Sequence, residues 1–248
     1  MDLNLLKMFE ACSANNDRNK HLWLKGASLI INQYINLIKK IDPNYFPVTI
    51  TDMCAFINDN SSELAKVFIN NRTDKSSGHN YHHLYSYILN EFNNKKINIL
   101  EIGMGTNNPE LVSTMGYNAR PGASLYSFRE YYTNANIYGA DIDKNILFND
   151  ERINTCYVDQ LDEKSFNNIK QTFGNIEYDL IIDDGLHSIG ANFNTLLFAL
   201  DNIKVNGWIV IEDIGIINNW FTINYILSKN ENFKTYIIKA GIMLSILC

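Results

Sequence analysis

The stretch that decides the fold is Asn98-Ile99-Leu100-Glu101-Ile102-Gly103-Met104-Gly105-Thr106-Asn107. A short apolar run that ends in two glycines, one residue apart, is typical of a buried strand followed by a tight turn. Gly103 and Gly105 let the backbone turn sharply and come close to a ligand. The third glycine of a dinucleotide-binding fingerprint is missing, and a lone G-x-G turn is weak evidence for a binding site.

Similar short β-branched runs recur along the second half of the chain, separated by helical patterns. The predicted strands are 97–102, 136–140, 153–158, 179–182 and 208–211. Strands that alternate with helices predict βαβ units and therefore a Rossmann-like α/β fold with a mostly parallel sheet. The runs 233–239 and 242–248, joined at Ala240-Gly241, predict a C-terminal antiparallel hairpin.

The first part of the chain has a different apolar pattern, because residues 3–94 are predicted to be helical. One apolar pattern of helical spacing ends at Asp42-Pro43, a second follows Thr51 or Asp52 and reaches about residue 71, and a third covers 81–92. We therefore predict an N-terminal helical extension at 1–95 and an α/β domain at 96–248.

Composition and charge exclude several classes of protein. The chain has 248 residues and a net charge of −6, so it lacks the basic surface that grips nucleic acid. The four cysteines are far apart, which favours free thiols over disulfides or a zinc site. The N-terminus lacks the basic start and apolar run of a signal peptide, and no apolar stretch could span a bilayer. These features predict a cytoplasmic protein with neither nucleic acid nor a membrane as partner.

Polar residues follow the second and third predicted strands. Asp141 can accept hydrogen bonds from both ribose hydroxyls of a nucleoside. Asp159 and Gln160, an acid followed by an amide, can bind the edge of adenine. Each of these side chains could instead cap the helix that follows its strand.

Two acids and a histidine come after the fourth predicted strand, and two more acids follow the fifth. These residues are Asp183, Asp184, His187, Glu212 and Asp213. Adjacent parallel strands end at the same sheet edge, so the carboxylates should cluster there, and oxygen-rich clusters suit Mg²⁺. Burying so many like charges without a cation is costly, which favours a metal site, although any single acid could be a cap or a surface residue.

These motifs resemble those of sugar O-methyltransferases, the family of the enzymes that act on macrocin and mycinamicin. The resemblance is closer still to methyltransferases of bacterial capsule clusters that act on modified heptoses. It covers about residues 71–215, through Thr73-Asp74-Lys75, the glycine turn, 120–130, 139–143, 183–187 and Glu212-Asp213. An acid two positions before the first glycine, here Glu101, is the methyltransferase form of this loop.

The resemblance implies a class I methyltransferase fold with S-adenosylmethionine and Mg²⁺ as cofactors. It implies that Asp184, Glu212 and Asp213 bind the cation, and that His187, three residues after Asp184, takes the proton of the reacting sugar hydroxyl. Glu101 would face the methionine amino group. The complete set of predicted cofactor-binding residues is Lys75, His79, Tyr81, Glu101, Gly103, Gly105, Thr106, Asn107, Ser124, Asp141, Asp159, Gln160 and Asp183.

Three alternatives stay open at this point. A methyltransferase of catechol type would share the metal and the fold but not the sugar acceptor. A Tyr-x-x-x-Lys couple at Tyr225 and Lys229 keeps an NAD-dependent oxidoreductase or epimerase in consideration. A non-catalytic subunit could keep the fold alone. The predicted partner is a sugar or sugar nucleotide, and the apolar N-terminal helices could support a homo-oligomer.

Overall fold

A computed structural model of the protein describes residues 33–34, 36–42, 50–214, 217–240 and 244–247. Within these residues nine strands form one sheet in the order β1-β8-β9-β7-β6-β2-β3-β5-β4. The strands are β1 Ile50–Asp52, β2 Ile97–Ile102, β3 Ala135–Asp141, β4 Asn149–Asp150, β5 Ile153–Tyr157, β6 Tyr178–Asp183, β7 Ile203–Ile211, β8 Ile237–Ala240 and β9 Leu244–Leu247.

The helices cover both faces of this sheet. They are α1 Ser61–Asn71, α2 Asp74–Ser77, α3 His82–Glu91, α4 Ala123–Tyr131, α5 Asn167–Phe173, α6 Ile189–Leu200 and α7 Ile217–Ser228. Residues 33–34 and 36–41 are also helical, which agrees with the predicted helix that ends at Asp42. The rest of that prediction, toward residue 3, lies outside the described residues.

The five central strands are parallel, and their register sets the position of the site. Ile102 on β2 pairs with Asp183 on β6, and Asp183 pairs with Ile211 on β7. The residues that follow these pairs therefore leave the sheet side by side. The α/β class, the mostly parallel sheet and the antiparallel β8–β9 hairpin were all predicted from the sequence and are confirmed.

Each face of the sheet has its own apolar core. On one face Leu64, Phe68, Tyr85 and Phe128 pack on β2 and β3. On the other face Phe166, Ile169 and Ala199 belong to the cluster around Leu100 and Ile181. Each large side chain buried in this way contributes about 1.5–3 kcal/mol, so the central strands are a rigid base for the loops at their ends.

The prediction of helices alone in the first part of the chain was wrong in two places. Ile50–Asp52 is a strand, because its β-branched residues pair in parallel with Ile237 and Ile238 of β8. The predicted helix to residue 71 is also divided. Asp52 caps only the short 3-10 helix Met53–Phe56, and α1 starts later because the Asn58 side-chain amide donates to Phe56 O and to Ser86 Oγ and so stabilises the intervening turn.

Smaller differences concern element ends. The predicted strand 208–211 is the end of the longer β7, and the short β4 was not predicted. Cys54 and Cys156 are free thiols as expected, whereas Cys12 and Cys248 lie outside the described residues. In the part of the chain that the structure describes, none of the helices has the length and apolar character of a membrane span. The division at residue 95 stays a prediction.

Candidate functional site

The turn after β2 brings two strand-end loops into contact. Gly103 has φ +91°, and a Cβ atom there would lie 2.2 Å from the carbonyl oxygen of Asp184. The Asp184 backbone N–H in turn donates to Ile102 O at 2.8 Å. A side chain at 103 would therefore push the β6 loop away, and glycine is required by both the backbone conformation and the space.

A cleft of about 260 Å³ opens beside this turn. It is lined mostly by apolar atoms, and the residues around it include Gly103, Val112, Ile142, Asp159, Leu161 and Leu186. Val112, Ile142 and Leu161 are exposed at its rim. An apolar slot with a few acids beside it, outside the carboxyl ends of parallel strands, is where this class of sheet binds nucleosides.

The acids on the β3 side of the cleft are held by nearby backbone amides. Asp141 accepts from Met104 N at 2.7 Å and from Asp143 N at 2.8 Å. Asp143 accepts from Thr106 Oγ1 at 2.6 Å and caps the turn at Asn145. Burial raises the pKa of Asp141, the first of these acids. Asp141 thus lies beside the cleft, and it also fixes the glycine turn.

The loop after β5 is fixed to the loop after β6 by one amide. Gln160 Nε2 donates to Asp183 Oδ1 at 2.9 Å and to Thr195 Oγ1 at 2.8 Å, and its Oε1 accepts from Leu186 N at 2.8 Å. The amide is therefore fully engaged within the protein. Asp159 lines the cleft, and one of its oxygens accepts from Leu161 N at 2.9 Å.

On the other side of the glycine turn, a buried ammonium joins three strand ends. Lys75 Nζ lies 2.7 Å from Asp184 Oδ2, 2.7 Å from Glu212 Oε2 and 3.2 Å from Glu101 Oε1. The Lys75 side chain is only 1% exposed. Burial opposes its charge, but the three carboxylates outweigh that effect and hold the pKa of Lys75 well above its usual value.

Two tyrosines complete this group, which we call the acid pocket: Lys75, Tyr81, Tyr85, Glu101, Asp184, Glu212 and Asp213. Tyr81 donates to Asp213 Oδ1 at 2.6 Å, and Tyr85 donates to Glu212 Oε1. Burial raises the pKa of Glu212 well above its usual value, and the neighbouring Asp184 carboxylate adds to the effect. Both oxygens of Glu212 are thus engaged by Lys75 and Tyr85.

The remaining oxygens of two acids point at one histidine. His187 Nε2 lies 4.0 Å from Asp184 Oδ1 and 3.9 Å from Asp213 Oδ2. One ligand atom from each of these three residues falls within 4.8 Å of the other two, a spacing that suits a metal ion. His187 and Asp213 both have positive φ, 55° and 54°. Histidine and aspartate are among the non-glycine residues that adopt this left-handed conformation most readily.

The other predicted residues fall in different places around the site. Ser124 donates to Glu101 Oε2 from the first turn of α4, and Thr106 is buried against Asp143. Asn107 is exposed. His79 stacks on Tyr81, with 5.2 Å between ring centroids, and lies 3.6 Å from Asp74 Oδ2. The hydrogen bond from His79 to Asp74 raises the pKa of His79.

Tyr85 is a site residue that was not predicted from the sequence. It lies four positions after Tyr81, the residue that precedes α3, so both hydroxyls project in the same direction, toward the strand ends. The spacing was visible in the predicted helix 81–92, but an apolar helix face gave no reason to assign its tyrosines to the site. The cleft residues Leu111 and Val112 were missed because the loop 106–122 has no recognisable pattern.

The Tyr225–Lys229 couple takes no part in this arrangement. Tyr225 OH donates to Asp42 Oδ2 at 3.1 Å, and Lys229 Nζ donates to the same oxygen at 3.0 Å. Both residues therefore hold the helix that ends at Asp42. This pairing removes the observation that favoured an oxidoreductase.

Two curated sugar O-methyltransferases are similar to this chain. The 8-demethyl-8-alpha-L-rhamnosyl tetracenomycin-C 2'-O-methyltransferase of Streptomyces olivaceus is 28% identical over 175 residues, which are 69% of this chain and 43% of that protein. The mycinamicin VI 2''-O-methyltransferase of Micromonospora griseorubida is 31% identical over 133 residues, 52% of this chain and 30% of that protein. The chain thus spans less than half the length of these relatives. No protein-family model matches it.

Solved structures of the MycE methyltransferase from the mycinamycin biosynthetic pathway are similar as well. The complex with Mg and SAH has 26% identity and a TM-score of 0.51, over 60% of this chain and 39% of that chain. A complex that also holds mycinamycin VI has 25% identity and a TM-score of 0.51, over 60% of this chain and 36% of that chain. The mostly parallel sheet and this likeness identify the class I methyltransferase fold.

Proposed function

We propose that the chain transfers a methyl group from S-adenosylmethionine to a sugar hydroxyl, with Mg²⁺ binding the acceptor oxygens. The observation that carries the proposal is the convergence of Asp184, His187 and Asp213 beside the Gly103 turn. Two acids and a base face one point there, next to an apolar cleft. Such an arrangement can hold a cation and move a proton at the same place.

The cleft and the glycine turn fit S-adenosylmethionine. The apolar rim offers surfaces for a purine, and Asp141 and Asp159 stand where ribose and adenine polar groups would lie. Glu101 is a buried member of the acid pocket, 3.2 Å from Lys75 and bonded to Ser124, and it directly precedes Ile102 and Gly103, which line the cleft. We assign it to the methionine amino group, which would bring the reactive end of the ligand to the acid pocket.

The acid pocket fits a divalent cation. Three carboxyl groups surround the single ammonium of Lys75, and Asp213 adds a fourth, so acidic oxygens outnumber the one cationic group. Oxygen ligands are those that Mg²⁺ prefers. We call the point between Asp184, His187 and Asp213 the open centre. The oxygens that face it are Asp184 Oδ1 and Asp213 Oδ2. Glu212, also predicted as a ligand, stands behind them with its oxygens on Lys75 and Tyr85.

Bound S-adenosylmethionine would supply an electrophilic methyl group, and bound Mg²⁺ would polarise the acceptor hydroxyl. His187 Nε2 would take the hydroxyl proton, since an imidazole exchanges protons readily at neutral pH. Asp184 and Asp213, at 4.0 and 3.9 Å, would stabilise the resulting imidazolium. The rigid ends of β6 and β7 would keep base and acceptor aligned with the methyl group.

The class of acceptor is proposed from the relatives. The names of these relatives specify methylation of a rhamnosyl group and of mycinamicin VI, and a MycE structure contains mycinamycin VI itself. We therefore propose a sugar acceptor here. The resemblance to capsule-cluster enzymes extends the proposal to heptoses and to nucleotide-linked sugars.

Calorimetry followed by a transfer assay tests the proposal. We expect metal-stripped protein to bind S-adenosylmethionine and not NAD, and to transfer labelled methyl to members of a panel of free and nucleotide-linked sugars only when Mg²⁺ is added. Asp213→Asn should lose transfer, whereas Asp201→Asn, at an exposed acid after α6, should keep it. Binding of NAD, or transfer to catechol and to no sugar, would contradict the proposal.

A further inference from the structure

The acid pocket shows a regular pattern in how its carboxylates are held. Each of the three acids that follow β6 and β7 receives a hydrogen bond from residues 75–85. Lys75 donates to Asp184 Oδ2 and to Glu212 Oε2, both at 2.7 Å. Tyr85 donates to Glu212 Oε1, and Tyr81 donates to Asp213 Oδ1 at 2.6 Å. The donors lie more than one hundred residues away from the acids in the chain.

The oxygens left over by these donors are the ones that converge. Asp184 Oδ1 lies 4.0 Å from His187 Nε2, and Asp213 Oδ2 lies 3.9 Å from it. A carboxylate with one oxygen fixed by a donor has its second oxygen fixed as well. Lys75 and Tyr81 thereby determine the direction in which Asp184 and Asp213 present their free oxygens.

The position of Tyr81 supports this role over direct contact with a ligand. Its side chain is buried, and its hydroxyl already donates a hydrogen bond to Asp213. The ring packs between His79, which is stacked on it, and Tyr85, which meets it edge to face. Lys75 is equally enclosed, with three carboxylates around its only charge.

We propose that Tyr81 and Lys75 are positioning residues for the divalent-cation site: each fixes one oxygen of Asp213 or Asp184 so that the other faces the cation. This inference rests on the proposed function, and it replaces the interpretation of both residues as contacts of the cofactor. Groups that orient metal ligands from behind typically change metal affinity about 10–100-fold when they are removed.

Tyr81→Phe is the decisive variant, because it removes one hydroxyl and keeps the ring that fills the core. We expect calorimetry to show a Kd for Mg²⁺ about 10–100-fold higher than in the unaltered protein. The Kd for S-adenosylmethionine in metal-free protein should not change, and the melting temperature should shift little. Tyr178→Phe is the matched control, since the Tyr178 hydroxyl is buried and has no hydrogen-bond partner among the described residues.

The outcomes separate this inference from the proposed function. If the unaltered protein binds Mg²⁺ and Tyr81→Phe binds it equally well, the positioning role is wrong and the proposed function stands. If Tyr81→Phe loses affinity for S-adenosylmethionine without metal, Tyr81 is a cofactor contact and the inference is again wrong. If the unaltered protein binds no divalent cation, the metal part of the proposed function fails, and the inference fails with it.

Discussion

The two sides of the glycine turn hold their acids in different ways. Beside the cleft, Asp141 and Asp159 accept from backbone N–H groups of their own or adjacent loops. In the acid pocket, Asp184 and Asp213 accept from Lys75 and Tyr81, which lie more than one hundred residues earlier in the chain. The first arrangement stabilises a loop, and the second aims carboxylates at an open centre. The role of an acid at a strand end is thus determined by the group that donates a hydrogen bond to it.

The largest expected effect comes from removing an acid whose free oxygen faces the centre. Asp184→Asn should lower the rate of methyl transfer about 1000-fold or more, since charge stabilisation by a metal is worth several kcal/mol. Asp159→Asn should change the affinity for S-adenosylmethionine and leave that for Mg²⁺ intact. Rate assays and Mg²⁺ titrations on both variants check this. Equal loss of Mg²⁺ affinity in the two would end the distinction between the two sides.

The next effect concerns the stability of the acid pocket. Lys75→Met should lower the free energy of unfolding by about 3–5 kcal/mol, because it leaves buried carboxylates without their cation. Lys204→Met is the control: Lys204 makes an ion pair of the same 2.7 Å length with Asp179 but is 34% exposed. Its loss should cost about 0–1 kcal/mol. Urea unfolding measures both, and similar values would show that the buried cluster is not held together by Lys75.

A smaller effect is expected at the boundary between the two sides. Gly103→Ala places a Cβ against the Asp184 backbone at positive φ, whereas Gly116→Ala meets nothing within 4 Å at a similar φ of +82°. The backbone penalty is shared, so the difference isolates the clash. Gly103→Ala should be about 1–3 kcal/mol less stable than Gly116→Ala by thermal or urea unfolding. Equal losses would mean that the two loops separate easily.

The smallest effect is a change in the pH dependence of stability. Burial raises the pKa of Asp183, so the folded protein keeps this proton to a higher pH than the unfolded chain does. The stability is therefore fully present below the unfolded value of about 3.9 and is lost as the pH rises through the folded pKa. Asp183→Asn should lose less stability across that range in urea titrations at several pH values. An unchanged slope would show that Asp183 titrates as it does in the unfolded chain.

Much of the fold was predictable because its signals are local. The apolar run before Gly103 predicted both ends of β2 correctly, and the alternation of apolar runs with helical patterns predicted the parallel sheet. Ile50–Asp52 could not be found in this way. Three residues are too few to show a periodic apolar pattern. They form a strand only because they pair with β8, almost two hundred residues later in the chain.

The candidate site shows the same difference between local features and contacts that are distant in sequence. Strand ends are local features, so Asp141, Asp184 and Asp213 could be placed at one edge from sequence alone. The partners of these acids could not, because nothing near Tyr81 or Tyr85 in the sequence indicates which carboxylate it meets. Gln160 lines the cleft, and its role as a cofactor contact stays a prediction. The bonds of its amide to Asp183, Thr195 and Leu186 could not be predicted from the sequence.

In the proposed function, the cation and the reactive methyl group meet in the acid pocket, away from the nucleoside. Proton relaxation of bound S-adenosylmethionine, with Mn²⁺ in place of Mg²⁺, tests it most directly, since the effect of Mn²⁺ falls steeply with distance. We expect Mn²⁺ to broaden the S-methyl signal far more than the adenine signals, and Asp184→Asn to abolish the difference. Broadening of the adenine signals to an equal or greater degree would contradict it.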